Sequence, residues 1–327
     1  MGKPVYDISI IIVNWNTCEL LKNCLYSIKT CVDMQKVQVI VVDNASSDGS
    51  YEMLTTLFPD VLTINSGGNI GFGRANNLAI PHADAPLILF LNPDTIIINN
   101  AIQKMVEFMN NNERVGALGC KCIFAPIQSS DVIRDGEAQP LGLQWFPTPF
   151  NELLSLLFLS DKTIKKFKNF LPYKDPNTNG YVLKLYGTCY MVRRKILDQI
   201  GYFDERFFMY VEDVDLSKRI INAGWKLYYL SDAEIIHVGS AATLSVKNQF
   251  STLMMCESAA KYINKYHGVL GSALYRPVLV AGSIYRLLIL KTMSTLSHRN
   301  ENYEGSVNKY KAVIKWALNL QKPIIKN

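Results

Sequence analysis

The sequence predicts an α/β domain built on a mainly parallel sheet and followed by a helical C-terminal region. Three observations carry this expectation. Continuous apolar runs at 8–14 (ISIIIVN), 37–42 (VQVIVV) and 87–91 (LILFL) read as strands buried on both faces. Amphipathic segments with helical spacing separate them. The polar clusters fall at the carboxyl ends of the runs, where sheets of this kind bind ligands. Composition agrees, because 327 residues with 49% hydrophobic and 19% charged side chains can build a sizeable core. Disorder and fibrous repeats are excluded.

Taken in order, the first strand leads into a helix whose start carries Asn16 and Glu19, spaced as a capping pair. Leu20, Leu21, Cys24, Leu25 and Ile28 recur on one face of that helix. The second strand ends in the polar turn Asp43-Asn44-Ala45-Ser46-Ser47-Asp48-Gly49, which opens a helix with Met53, Leu54 and Leu57 inward. A strand at 61–64, a Gly/Asn loop at 65–73 and a short helix ending before Pro81 come next. Strand 87–91, helix 100–110 and strand 115–123 complete this half. From 125 to 184 the pattern breaks into Pro-, Ser- and Asp-rich loop with one apolar-then-basic stretch. Regular structure resumes at 185–192, with helix 194–200 and a helix opened by Phe208–Leu216 and running to Ala223. Strands at 226–230 and 234–238 close the compact region. Helices at about 249–266, 274–292 and 303–320 follow, so the chain divides into 1–244 and 245–327.

Charge is unevenly spread. The chain carries a formal +6, yet residues 245–327 hold twelve Lys and Arg against only Glu257, Glu301 and Glu304. The remainder is slightly acidic, which argues against a nucleic-acid-binding core. The basic region, with Tyr262, Tyr266, Tyr275, Tyr285 and Trp316 in it, suits a peripheral membrane surface; a packed helical subdomain or a homodimer interface is the alternative. The basic run Lys162–Lys168 is expected to share that face. No secretory signal is read at the start, and Arg286 and Lys291 interrupt 277–292 short of a spanning helix. Seven cysteines follow no disulfide framework, and Cys120 and Cys122 lack a nearby His that would suggest zinc. The expectation is a cytoplasmic protein.

Three strand ends present carboxylates or amides: Asp43, Asn92-Pro93-Asp94, and the group Asp204, Glu212, Asp213 and Asp215. Any one of these reads equally as a turn former or helix cap. Together they suit a hard divalent cation that binds a diphosphate. Asp215 and Arg219, four residues apart, read as a helix-surface pair. Trp145, Phe146, Tyr186 and Trp225 are single aromatics of the kind found in cores, although such rings also stack on sugars.

The motifs SIIIVNWN, VVDNASSDGS, GGNIGFGRANN, LFLNPDT, YGTCYMVRR and GYFDERFFMYVEDVDLSKRI, spread over about 8–240, resemble glycosyltransferase family 2. More narrowly, they resemble the bacterial rhamnosyltransferase-like branch that builds O-antigen and cell-wall polysaccharides. The resemblance implies a GT-A fold, a nucleotide-sugar donor, Mg²⁺ or Mn²⁺, and inversion at the anomeric carbon. It places Asp43 against the edge of a uracil or thymine, which favours a dTDP- or UDP-sugar, with Asn14 and Asn16 lining the same pocket. Asn69, Gly71 and Arg74 fall on a loop that approaches the base or phosphates. Asn92-Pro93-Asp94 stands where the family has its DXD metal motif, with an amide replacing the first carboxylate. Asp94 is then the metal ligand there, Asn92 a ribose or turn contact, and His237, followed by Gly239-Ser240, a second ligand. Asp213 is the base that takes the acceptor hydroxyl proton, and Glu212 orients the acceptor.

The implied activity is transfer of a sugar, best matched by rhamnose from dTDP-rhamnose, to a hydroxyl of a cell-surface or lipid-linked glycan. Residues 125–184 would form an acceptor-side insertion. The alternatives are another UDP- or dTDP-sugar transferase of the family and a non-catalytic nucleotide- or glycan-binding subunit of a polysaccharide assembly complex. A sugar-phosphate nucleotidylyltransferase would want a Gly-rich basic loop after the first strand, where this chain has NWNTCEL. Glycoside hydrolysis would leave the nucleotide-binding half without a purpose.

Overall fold

The computed structural model describes residues 6–124, 136–157, 171–238, 249–296 and 303–320. The chain forms two compact units, one from 1–144, 174–208 and 212–242, the other from 145–173, 209–211 and 243–327.

In the first unit the chain runs β1 (Ile8–Asn14), α1 (Cys18–Cys31), β2 (Val37–Asp43), α2 (Ser50–Leu57), β3 (Leu62–Asn65), α3 (Phe72–Ala79), β4 (Leu87–Leu91) and β5 (Thr95–Ile97). Then come α4 (Ala101–Asn111) and β6 (Val115–Phe124). After α5 (Pro149–Leu157), which belongs to the second unit, follow β7 (Gly180–Val182), β8 (Cys189–Arg193), α6 (Arg194–Ile200), α7 (Glu212–Asn222) and β9 (Lys226–His237). The sheet order is β3-β2-β1-β4-β8-β6-β9-β5, with β7 also paired to β9. β3, β2, β1 and β4 are parallel, as are β6 and β9, while β8 is antiparallel to both of its neighbours.

Both faces of the sheet are covered, which is why β1 is apolar without alternation. Ile10 and Ile12 pack with Leu21 and Leu25 in one core, and Ile11 and Val13 pack with Ala75 and Phe90 in the other. The parallel register of β1 and β2 sets Asn14 beside Asp43 at their carboxyl ends.

Four local expectations differ from the structure. Asn16 does not cap α1; it takes a left-handed φ of 53°, and the first helical N–H, of Cys18, donates instead to Asp48 Oδ2 at 2.8 Å. Leu57 is exposed at the end of a helix only eight residues long, which buries Leu54 alone among its apolar side chains. The strands expected at 226–230 and 234–238 are one strand, β9, in which Ser231–Ala233 bulge between the Leu230↔Cys120 and Glu234↔Lys121 pairs. Asp215 and Arg219 are not a surface pair. Asp215 is fully buried, Arg219 Nε donates to its Oδ2 at 2.8 Å, and the remaining guanidinium nitrogens donate to the carbonyls of Ile200, Gly201 and Tyr202 at the end of α6.

In the second unit, α8 (Phe250–Leu296) packs against both α5 and α9 (Tyr303–Ala317). Gly268 breaks α8 with φ 63° and ψ −159°, so two helices meet there. The expectation that no segment approaches a spanning helix needs correction: Phe250–Thr292 is long and apolar enough to cross a membrane by length and composition. Of its five cations, Arg276 turns aside to Asn319 and Arg286 to the Ser155 carbonyl, while Lys291 is exposed near its end. The run Lys162–Lys168 and the pair Gly239-Ser240 lie outside the described residues.

Candidate functional site

At the ends of β1 and β2, Asn14 Nδ2 donates to Asp43 Oδ1 at 3.2 Å and to Ser46 Oγ at 3.0 Å. Asp43 Oδ2 accepts the Ser46 N–H at 3.1 Å, and Thr17 Oγ1 donates to Asn14 Oδ1 at 2.6 Å. Both Asn14 and Asp43 are buried. Asn16 accepts the Ser47 N–H at 2.8 Å, a turn-forming role. Asn44, which the sequence reading passed over, ties this end to the Gly/Asn loop. Its Oδ1 accepts from the Ile70 N–H at 3.0 Å and from Ser66 Oγ, and its Nδ2 donates to Asn69 Oδ1 at 3.0 Å. The available signal was its position directly after Asp43 in the polar turn.

Asn69 Oδ1 also accepts the Gly71 N–H at 3.2 Å. Gly71 has φ 90°, and a Cβ there would collide with the Phe208 carbonyl, which accepts the Phe72 N–H at 2.8 Å. Glycine is therefore required both by conformation and by close approach. Arg74 is half-exposed and donates from Nε to the Glu205 carbonyl at 3.1 Å, with the Glu205 carboxylate 4.0 Å away. The structure thus pairs Arg74 with Glu205.

Asn92, Pro93 and Asp94 form the turn between β4 and β5. The Asn92 carbonyl accepts Thr95 Oγ1 at 2.8 Å, while the Asn92 N–H donates to the Thr188 carbonyl at 3.0 Å. Because β5 pairs antiparallel with β9, Thr95 stands opposite His237. This brings Asp94 Oδ1 to 3.3 Å from His237 Nε2, with both side chains nearly buried. The other ring nitrogen, Nδ1, lies 3.3 Å from Gln139 Oε1. The Gln139 N–H is itself fixed to the Cys122 carbonyl at 2.7 Å. Gln139 Oε1 at Nδ1 and Asp94 Oδ1 at Nε2 hold the ring between them, so that an imidazole nitrogen and a carboxylate oxygen face one another. Two acceptors in that relation suit a proton or a cation between them, so the pair fits a divalent metal. Among the described residues, no group of three or more His, Cys, Asp or Glu is arranged to hold one. A cation here would take its remaining ligands from elsewhere.

Asp213 lies in the first turn of α7. Its Oδ2 accepts the Gly187 N–H and its Oδ1 the Val214 N–H, each at 2.8 Å. Burial raises its pKa, against the lowering effect of these two bonds and of Lys184. Glu212 is buried, its Oε2 has no hydrogen-bond partner among the described residues, and burial together with the Asp213 charge pushes its pKa well above the ordinary glutamate value. Tyr210 and Val211, just before it, hold φ values of 68° and 70°. For a β-branched residue this is strained backbone, costing about 1–3 kcal/mol.

The segment Tyr186-Gly187-Thr188 links the two acidic centres: Gly187 holds Asp213, and Thr188 holds the turn that carries Asp94. An open pocket of about 330 Å³, its mouth included, is lined by Tyr186, Thr188, Gln139, Cys122 and Cys189 among others. Tyr186 donates its hydroxyl to the Leu141 carbonyl at 2.6 Å and so lines this pocket as a fixed wall. Trp225 packs against the core and carries Lys195 over its ring at 4.9 Å.

The family profile described as Glycosyl transferase family 2 matches residues 9–201, and that of Glycosyl transferase family group 2 matches 173–320. An N-acetylglucosaminyl-diphospho-decaprenol L-rhamnosyltransferase of Mycobacterium tuberculosis is 30% identical over 247 residues, covering 70% of this chain and 75% of its own. The rhamnosyltransferase WbbL of Escherichia coli is 28% identical over 240 residues, covering 70% and 82%. Among solved structures, a mannosyltransferase of Pyrobaculum calidifontis in complex with GDP-Man and Mn²⁺ superposes with a TM-score of 0.56 at 16% identity, over 98% of this chain and 88% of that one. At that identity the likeness concerns the fold, which is GT-A with a C-terminal helical extension. With the profile spanning more than half of the sequence and strand ends that gather the expected polar side chains, this chain belongs to glycosyltransferase family 2.

Proposed function

We propose that the protein is an inverting transferase that moves a sugar from a pyrimidine nucleotide donor to a hydroxyl of a cell-surface or lipid-linked glycan. Rhamnose from dTDP-rhamnose is the favoured donor, because relatives that cover most of this chain are named rhamnosyltransferases. Asp43 recognises the N3–H of uracil or thymine, held in place by Asn14 and the Ser46 N–H. Asn69, Gly71, Arg74 and Asn92 line the path of the ribose and diphosphate. Asp94 and His237 hold Mg²⁺ or Mn²⁺, which when bound offsets the charge of the diphosphate leaving group.

Asp213 takes the proton of the acceptor hydroxyl as that oxygen bonds to C1 and the C1–O bond to the diphosphate breaks. Its raised pKa gives it more basicity than an ordinary carboxylate. Glu212, buried beside Asp213, orients the acceptor side of the site. Acceptor choice is assigned to 125–184, of which 125–135 and 158–170 lie outside the described residues.

One observation carries this reading. The hydrogen bonds of Gly187 and Thr188 tie the base candidate Asp213 and the metal candidate Asp94 to one three-residue segment. The test is release of nucleoside diphosphate over a panel of dTDP-, UDP- and GDP-sugars, with a membrane lipid extract as acceptor source. Mg²⁺, Mn²⁺ and EDTA arms accompany each donor. Turnover with dTDP-rhamnose that EDTA abolishes is expected. Donor binding without turnover on any donor would instead mark a non-catalytic subunit.

A further inference from the structure

Beyond Gly268, α8 presents an exposed stripe of Leu270, Leu274, Pro277, Ala281, Ile284 and Leu288. The steps of four and three residues place all six on one helical face. The exposures are large for apolar side chains, 74% for Leu270, 52% for Leu274, 47% for Ile284 and 59% for Leu288. The stripe spans nineteen residues, about 27 Å of helix. The opposite face is already occupied: Gly271, Tyr275, Leu279 and Gly282 are buried, and Gly282 sits against Leu156 of α5. Arg276 and Arg286 also point away from the stripe, to Asn319 with the Trp316 ring and to the Ser155 carbonyl.

Charge selects the partner. No Asp or Glu occurs between Glu257 and Glu301, whereas Lys261, Lys265, Arg276, Arg286, Lys291 and Arg299 do. Lys291 is exposed at the end of the stripe, and Lys309, Lys311 and Lys315 are exposed on α9. The exposed cations Lys291, Lys309, Lys311 and Lys315 outnumber the one exposed acid of α9, Glu304; a second copy would repeat that excess, whereas an anionic lipid surface complements it. A helix packed along one side against α5 and α9 cannot cross a bilayer without leaving those partners. It can lie in the plane with its free side immersed about 5–10 Å.

We propose that residues 269–292 dock in the plane of an anionic lipid bilayer, with the Leu270–Leu288 stripe immersed. This placement goes beyond the transferase reading and depends on no catalytic step. Its test uses no sugar donor, so either idea can fail while the other stands.

The experiment is flotation of the full-length protein with large unilamellar vesicles of phosphatidylcholine, alone or with about 30% phosphatidylglycerol, at low and high salt. Partition into the anionic vesicles is expected, reduced by salt. The double substitution Leu274→Glu with Leu288→Glu is expected to lower the partition coefficient at least about tenfold. Leu62→Glu, at an exposed apolar site on β3, leaves it unchanged. A circular-dichroism melt confirms that each variant folds. As a second reading, Tyr285→Trp should gain fluorescence that brominated lipid quenches. Absence of flotation, equal flotation of the double variant, or an unquenched tryptophan would overturn the proposal. So would sedimentation showing that the stripe substitutions only dissolve a dimer.

Discussion

Gln139 and Asp94 flank His237 from opposite ring nitrogens, each at 3.3 Å. The imidazole is held in a clamp whose outer jaw is Gln139. Removing that jaw should loosen metal binding without touching a ligand. Gln139→Ala is expected to weaken Mn²⁺ affinity about 10–100-fold, with recovery in Gln139→Glu, which retains an acceptor. Electron paramagnetic resonance of free Mn²⁺ in the presence of dTDP measures it. Unchanged affinity in Gln139→Ala would remove the clamp's role.

Asp213 works as a base only when ionised, so kcat/KM should rise with pH through an apparent pKa above the ordinary carboxylate range. Coupling to Glu212 means that the limb belongs to the pair. Asp213→Asn is expected to lower kcat about 10²–10⁴-fold and to abolish the limb while dTDP still binds. A rate profile between pH 5 and 9 is the measurement, and full activity in Asp213→Asn would sink the assignment.

Glu212 has a pKa raised by burial, so the folded chain holds its proton more tightly than the unfolded chain does. That contribution to stability is present below the unfolded pKa and is lost as pH rises through the folded value. Glu212→Gln removes the titration. Its melting temperature, relative to the parent, should therefore climb from pH 5 to pH 8, a trend that thermal melts at both pH values would show. A difference independent of pH would contradict it.

Gly71→Ala meets both a positive φ and the Phe208 carbonyl, whereas Gly67→Ala meets a positive φ alone. The first should cost more than the second, which is limited to backbone strain of about 1–3 kcal/mol. Urea unfolding of the two variants ranks them, and equal losses would mean that the close approach to Phe208 relaxes freely.

Arg219→Ala takes the guanidinium away from fully buried Asp215 and uncaps the carbonyls at the end of α6. A loss of about 3–5 kcal/mol is expected. Arg219→Ala with Asp215→Ala should recover part of it in the same urea titration.

The strands and helices of the first unit were legible because their signal is local. Continuous apolar runs and helical periodicity depend only on neighbours in the chain, and Leu87–Leu91 and Arg194–Ile200 lie where the pattern puts them. The juxtaposition of Asn14 with Asp43 follows from β1 and β2 being adjacent and parallel. Gln139, Asn44 and Arg219 were not legible in their roles. Gln139 reaches a histidine 98 residues away through the pairing of β6 with the 138–139 segment, and β5, which sets Thr95 opposite His237, is only three residues long. Arg219 looked like half of an i,i+4 surface pair because its main partners, three carbonyls at 200–202, carry no side-chain signature. The exposed face of α8 was hidden by Arg286, since a linear count of apolar residues does not register which way a charge points.

The bulge at Ser231–Ala233 has a consequence for how this strand tolerates change in length. Asn179 holds it, accepting from the Ser231 N–H and hydroxyl and donating to Asp232. Beyond it the ladder runs from Lys121↔Glu234 to Phe124↔His237 in unbroken register. The loop therefore acts as slack in a tether. Residues gained or lost at 231–233 are absorbed there, while one inserted after Glu234 would rotate His237 to the opposite side of the sheet.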